Sequence, residues 1–150
     1  MQHEPTAREN NATSSTAADY DVLPFNSIRR RTAAHMVRSK AVSPHTLCSI
    51  EVDYVQVDRV RRVAKLTYLP FVAKAVATAL RDFPHINASV ADEALLVHHR
   101  VNLGIAVNLD AGGLVVPVVH DADTMSVTTI AERITDIAAR ARSKRLTLDD

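Results

Sequence analysis

The sequence predicts an α/β (α+β) fold class with a mixed sheet, and three observations predict it. Apolar residues recur at helical spacing in four segments. Short β-like runs cluster between the third of these segments and the fourth. Turn and breaker residues separate the two kinds of element, so hairpins and crossovers are both expected.

The elements follow in order. Residues 1–20 contain no Leu, Ile, Val, Phe or Trp and are dominated by Ser, Thr, Asn, Ala and Glu. Such a stretch buries too little surface to offset its ordering entropy, so it reads as a flexible linker or arm ahead of a folded part at 21–150. Ser27 is placed to cap a helix through Ile28, Ala33, Ala34, Met36 and Val37, which Ser43-Pro44 ends. From His45 to Asp53 the residues alternate: Thr46, Cys48, Ile50 and Val52 fall on one side, Leu47, Ser49, Glu51 and Asp53 on the other. That pattern predicts a half-buried strand with Cys48 as a small core residue.

Val57, Val60 and Val63 or Ala64 predict a second helix, and Pro70 suits the first turn of a third. Only Lys74 and Thr78 break the apolar surface from Phe71 to Leu80, so this third helix is expected to be covered on most sides. The β-like runs are 87–90, 95–98, 103–108 and 114–119, with Asp110-Ala111-Gly112-Gly113 as a hairpin turn between the last two. Pro117 removes a ladder donor, so pairing should break there. A final helix from Val127, capped by Ser126, carries Ile130, Ile134, Ile137 and Ala141 on one face.

Composition excludes several classes. The 150 residues suffice for one domain burying roughly two-thirds of its unfolded surface. Apolar residues are 47% and charged residues 23%, and eighteen basic against seventeen acidic side chains leave a charge of +1. This balance gives no pull toward nucleic acid or an anionic membrane. No apolar run approaches the ~20 residues of a membrane span, and no charged-then-apolar signal pattern opens the chain. One cysteine excludes an internal disulfide and a Cys-pair zinc site. A cytoplasmic location is the resulting expectation.

Four stretches go further. Ser27-Ile28-Arg29-Arg30 runs through His35-Met36-Val37 to Ser39-Lys40. Pro44-His45-Thr46 leads into Glu51-Val52-Asp53. Leu66-Thr67-Tyr68-Leu69-Pro70-Phe71 precedes Phe83-Pro84-His85-Ile86-Asn87-Ala88-Ser89. Asn102-Leu103-Gly104-Ile105-Ala106-Val107 and Gly113-Leu114-Val115-Val116-Pro117-Val118 are followed by Asp121-Ala122-Asp123. In this order and spacing, the segment 27–150 resembles the acyltransferase core of 2-oxo-acid dehydrogenase complexes, the dihydrolipoamide acyltransferase family.

The resemblance implies a two-layer sandwich, chloramphenicol-acetyltransferase-like and here truncated to the N-terminal half. It implies a trimer-based homo-oligomer among dehydrogenase-complex subunits, with active sites between subunits. The implied reaction moves an acyl group between a dihydrolipoyl arm, carried on a separate domain, and coenzyme A as co-substrate. A histidine acts as base and a hydroxyl holds the oxyanion. The family's histidine lies in a His-x-x-x-Asp-Gly segment, and none of the seven histidines here has Asp four residues later. No catalytic residue is therefore assigned, and the chain alone is expected to be inactive. Val63-Ala64-Lys65 also looks like a shortened loop relative to the family.

Candidate site residues follow from the same resemblance. Arg61 and Arg29 are candidates for a coenzyme A phosphate, although Asp58, three residues before Arg61, offers a surface ion pair instead. Arg29-Arg30-Arg31 with Arg38 and Lys40 reads equally as a solvated face. His45, Leu114 and Val116 would border the substrate channel; equally, His45 could close a strand end and the other two could be core. His98 and His99 point to opposite faces if both lie in a strand, so no metal site is assigned. An assembly or binding module, joining full-length subunits or a separately encoded second half without catalysis, is the rival function.

Overall fold

A computed structural model describes residues 20–109 and 112–150, so the arm expected at 1–20 lies outside the described residues except for Tyr20. Helix α1 spans Ser27–Val42. Its cap is Asn26, one residue before the expected Ser27: the Asn26 side chain accepts the Arg29 N–H at 2.9 Å. Both residue types cap well. Asn26 prevails because its Nδ2 also donates to the Gly112 carbonyl at 3.2 Å, tying the cap to a distant loop. Ser43 leaves the helix in extended geometry (φ −105°, ψ 126°) ahead of Pro44.

The expected strand from His45 to Asp53 does not form. Among the described residues no backbone–backbone hydrogen bond involves residues 45–53, and the whole stretch is exposed, Leu47 at 93% and Ile50 at 85%. Cys48 is exposed as well, which corrects its assignment to the core. The physical reason is plain: alternation specifies which face a strand would bury, but a strand exists only where another edge pairs with it.

Helix α2, Val55–Ala64, starts where Asp53 Oδ1 accepts the Val55 N–H at 2.8 Å. It ends at Lys65, which takes left-handed geometry (φ 54°), while the Leu66 N–H returns to the Arg61 carbonyl at 2.9 Å. Helix α3, Leu69–Asp82, carries Pro70 in its first turn and buries Pro70, Ala73 and Ala77. Only this one face is covered among the described residues; Val72 and Val76 remain open to solvent, against the expectation of cover on most sides.

Strands β1 (Ala88–Ala91) and β2 (Ala94–Val97) form a hairpin in the register Ala91↔Ala94, closed by Asp92 at φ 51°. Strands β3 (Leu103–Gly104) and β4 (Val107–Asn108) then pair with β6 (Val118–Val119) and β5 (Leu114–Val115) respectively. These two antiparallel ladders are one long hairpin broken in the middle, where Pro117 has no N–H to donate, as expected. The Pro117 carbonyl still accepts the Ile105 N–H at 2.8 Å. A Cβ on Gly104 would lie 2.9 Å from Val116 Cγ1, so the Val116 side chain fills the space that a side chain at 104 would need. The ladders among the described residues are all antiparallel pairs.

Helix α4, Val127–Arg142, is capped by Ser126, whose Oγ accepts the Thr129 N–H at 3.1 Å. It buries Ile130, Ile137 and Ala141, so the expected face holds. Helices α3 and α4 pack on each other, and Ala77, Val101, Val119, Ala122 and Ile137 form the core between them and the long hairpin. After α4, Asp150 accepts from the Thr147 N–H at 2.7 Å and from Arg140 at 2.6 Å, folding the last residues back on the helix.

Candidate functional site

At the corner between α2 and α3, Asp58 is surrounded by donors. It accepts from Arg61 Nε at 2.8 Å and from the Tyr68 hydroxyl at 2.5 Å, and Arg62 reaches its second oxygen at 2.6 Å. The Arg61 guanidinium also lies 4.2 Å over the Tyr68 ring, and Tyr54 meets that ring edge-on. The Tyr68 hydrogen bond, joined by the Arg61 and Arg62 charges, holds the Asp58 carboxyl below its usual range. Arg61 thus spends Nε and Nη2 on Asp58. The ion pair weighed from the sequence is made, and a phosphate here would compete with a carboxylate already in place.

Arg29 is placed differently. It stands in the first turn of α1, exposed, with its side chain against Gly113, and makes no ion pair among the described residues. A groove of about 560 Å³ opens at this junction, lined by Asn26, Ile28, Leu109, Gly112, Arg142 and Lys144 among others. Gly113 adopts φ 111°, and a Cβ there would meet Ile28 Cγ2 at 3.2 Å. The bare backbone is therefore what lets α1 reach the hairpin. Leu114, next in the chain, and Val116 are both exposed. His45 is exposed too, its Nε2 3.5 Å from Ser39 Oγ at the other end of α1. Arg29 lies beside Gly113, next to Leu114, but none of Arg29, His45 and Arg61 lines that groove.

Two further clusters escaped sequence reasoning. Asn87 Nδ2 donates to the carbonyls of His98 and Arg100, at 3.1 and 3.0 Å. Arg100 in turn grips both carboxylate oxygens of Asp121, and Asn102 accepts the Asp121 N–H at 3.0 Å. This network holds Asp121 at φ 51°, and the Arg100 hydrogen bond keeps its carboxyl below the usual range. Asn87 of the Ile86-Asn87-Ala88-Ser89 stretch is the signal in the sequence, but its partners His98 and Arg100 lie too far along the chain for spacing to find. Second, Ser89 Oγ and His98 Nε2 are 2.8 Å apart. A hydroxyl on an imidazole is nucleophile–base geometry, yet no acidic side chain bonds the ring among the described residues. Nor do three or more His, Cys, Asp or Glu side chains gather as metal ligands among those residues. No single helix among them is long and apolar enough to cross a membrane.

Comparison with known proteins places this geometry. Residues 17–150 match the model of the family described as 2-oxoacid dehydrogenases acyltransferase (catalytic domain). The chain is 33% identical to the lipoamide acyltransferase component of the branched-chain alpha-keto acid dehydrogenase complex of Bacillus subtilis, over 97% of this chain and 37% of that one. It is 39% identical to the dihydrolipoyllysine-residue acetyltransferase component of the Staphylococcus aureus pyruvate dehydrogenase complex, over 82% of this chain and 31% of that one. Among solved structures, a probable dihydrolipoamide acetyltransferase of Listeria monocytogenes superposes with a TM-score of 0.84 at 35% identity, covering 89% of this chain and 61% of its own. The dihydrolipoamide acetyltransferase of Azotobacter vinelandii, in which a serine, a histidine and an asparagine were investigated for catalytic roles, gives 0.82 at 28%, covering 98% and 63%. The cubic core of a pyruvate dehydrogenase multienzyme complex gives the same values. The chain therefore spans about a third of the curated relatives and under two-thirds of the solved chains.

Proposed function

Since the chain belongs to the 2-oxoacid dehydrogenase acyltransferase (catalytic domain) family, we propose that it supplies the N-terminal half of a catalytic core that moves an acyl group between a dihydrolipoyl arm and coenzyme A. The observation that carries this reading is the superposition of 98% of the chain on 63% of an acetyltransferase core at a TM-score of 0.82. These 150 residues contain no His-x-x-x-Asp-Gly. Thioester exchange needs a proton acceptor beside the attacking sulfur, and exposed His45 has only the Ser39 hydroxyl as a hydrogen-bond partner among the described residues. The chain alone therefore does not turn over.

Within such a core, Arg29 is the better phosphate partner of the two arginines, because it makes no ion pair among the described residues whereas Arg61 is paired with Asp58. Arg142 and Lys144 add positive charge to the groove at the start of α1, whose lining does not include Arg29 itself. Leu114 and Val116, exposed on the hairpin beside it, and His45 at the far end of α1 border the acyl channel in this reading. The resemblance to a cubic core favours a trimer-based homo-oligomer working with the other dehydrogenase-complex subunits. A free, exposed Cys48 suits the reducing cytoplasm.

An assembly module is the second reading, favoured by a specific observation: α1 buries no residue, leaving Met36, Val37 and Val42 for a partner. One assay separates the two. With dihydrolipoamide and acyl-coenzyme A the chain alone gives no turnover. Adding the remainder of a relative's catalytic domain restores it if the chain is half an enzyme, and gives binding without turnover if it is a module. Turnover by the chain alone, abolished in His45→Ala, overturns both.

A further inference from the structure

Between α4, β6 and the turn at 147–150 lies a pocket of about 450 Å³ that neither the proposed reaction nor its rival uses. Helix α4 supplies one wall, where Arg133, Ile137 and Arg140 recur at i, i+4 and i+7 and so share a face. Strand β6 and the turn after it supply the floor, with Val118 and Met125 half-buried and His120 at the rim. The third wall, Asp149 and Asp150, is pinned in place. His120 Nε2 donates to the Asp149 carbonyl at 2.9 Å, and Asp150 accepts from the Thr147 N–H at 2.7 Å, the Thr147 hydroxyl at 2.9 Å and Arg140 at 2.6 Å. Most charges on these walls are matched: Arg140 pairs with Asp136 and Asp150, and Asp121 with Arg100. Arg133 and Asp149 are the exceptions. They line the same pocket with opposite charge, yet among the described residues their side chains make no ion pair or hydrogen bond, with each other or with any other group.

Opposite charges that line one pocket without pairing fit a ligand that carries both signs, and an apolar floor fits a hydrocarbon beside them. We propose that this pocket binds a zwitterionic α-amino acid with an aliphatic side chain. Arg133 pairs with the ligand carboxylate, for which the planar guanidinium offers two parallel N–H donors. The Asp149 carboxylate accepts from the ligand ammonium. The aliphatic group rests on Val118, Met125 and Ile137. A molecule held this way ties α4 to the 147–150 turn, so its binding stabilises both. The inference does not rest on acyl transfer, since it uses no residue placed in that reading.

The test is titration of the full chain with L-leucine at neutral pH, read by calorimetry and by amide chemical shifts. Two analogues keep the hydrocarbon and drop one charge: isocaproate lacks the ammonium, and isoamylamine lacks the carboxylate. Leucine should bind with a Kd of about 1 mM or below. It should bind about tenfold tighter than either analogue, the worth of one charge-assisted hydrogen bond. The shifted amides should fall in 118–125, 133–140 and 147–150. Asp149→Asn should weaken leucine about tenfold and leave isocaproate unchanged, whereas Arg133→Gln should weaken both and leave isoamylamine unchanged. Both side chains are exposed, so neither substitution should unfold the chain, which circular dichroism checks. Leucine that binds no tighter than the analogues overturns the proposal without recourse to any variant. Wild-type affinity in both folded variants overturns it too, because the ligand then sits elsewhere. So does the absence of binding at about 10 mM leucine.

Discussion

From Tyr20 to Leu69 no residue is buried, whereas from Pro70 to Ala141 the chain holds its whole core. Both contain a helix with a side-chain N-cap, α1 at Asn26 and α4 at Ser126, but α4 gathers Ile130, Ile137 and Ala141 on one buried face while the apolar residues of α1, Met36 and Val37 among them, bury nothing. What separates them is a partner. Helix α4 meets α3 and the long hairpin, while the contacts of α1 among the described residues gather at its start, near Gly112, Gly113 and the end of α4. Apolar spacing therefore states an intention to bury, and only another surface fulfils it.

The sharpest way to break this contrast is to truncate one isoleucine in each region. Ile130→Ala, at a fully buried position, should cost about 2–5 kcal/mol in urea unfolding. Ile50→Ala should stay within about 0.5 kcal/mol. Equal losses would mean that the first region is packed in solution. Next, Ala77→Leu forces extra methylenes between α3 and α4 and should cost about 1–3 kcal/mol, while a comparable enlargement at exposed Val37 costs nothing measurable. Gly113→Ala tests the tether itself. A positive φ and the 3.2 Å approach to Ile28 predict a loss of about 1–3 kcal/mol, and amide exchange should show α1 released from the hairpin.

The smallest effect concerns acid. The Thr147 N–H, with Arg140 behind it, pulls the Asp150 carboxyl down to about 2. Its folded value lies below the unfolded one of ~3.9, so its contribution is complete above that value and disappears as pH falls through about 2. Asp150→Asn should flatten the stability profile over that window and leave the 20–69 region untouched, as read by circular dichroism against pH.

How much of this the sequence discloses follows the same division. The α4 face, the Ser126 cap and the break at Pro117 are local or strictly periodic, and all were legible. The alternation at 45–53 was legible as a pattern, but no strand forms there, because no edge among the described residues pairs with it. Arg61 showed its ion pair through the i, i+3 spacing of Asp58, but the Tyr68 hydroxyl that completes the clasp sits ten residues away, beyond any helical repeat. Likewise the grip of Arg100 on Asp121 joins residues 21 apart, which only the fold brings together.

The corner at Lys65 has one last implication. A left-handed lysine, the Leu66 turn bond and the Tyr68–Asp58 bridge together rivet α2 to the start of α3 at a fixed angle. The orientation of α2 is thus decided by three short-range bonds at one corner and not by burial of its own side chains, none of which is buried.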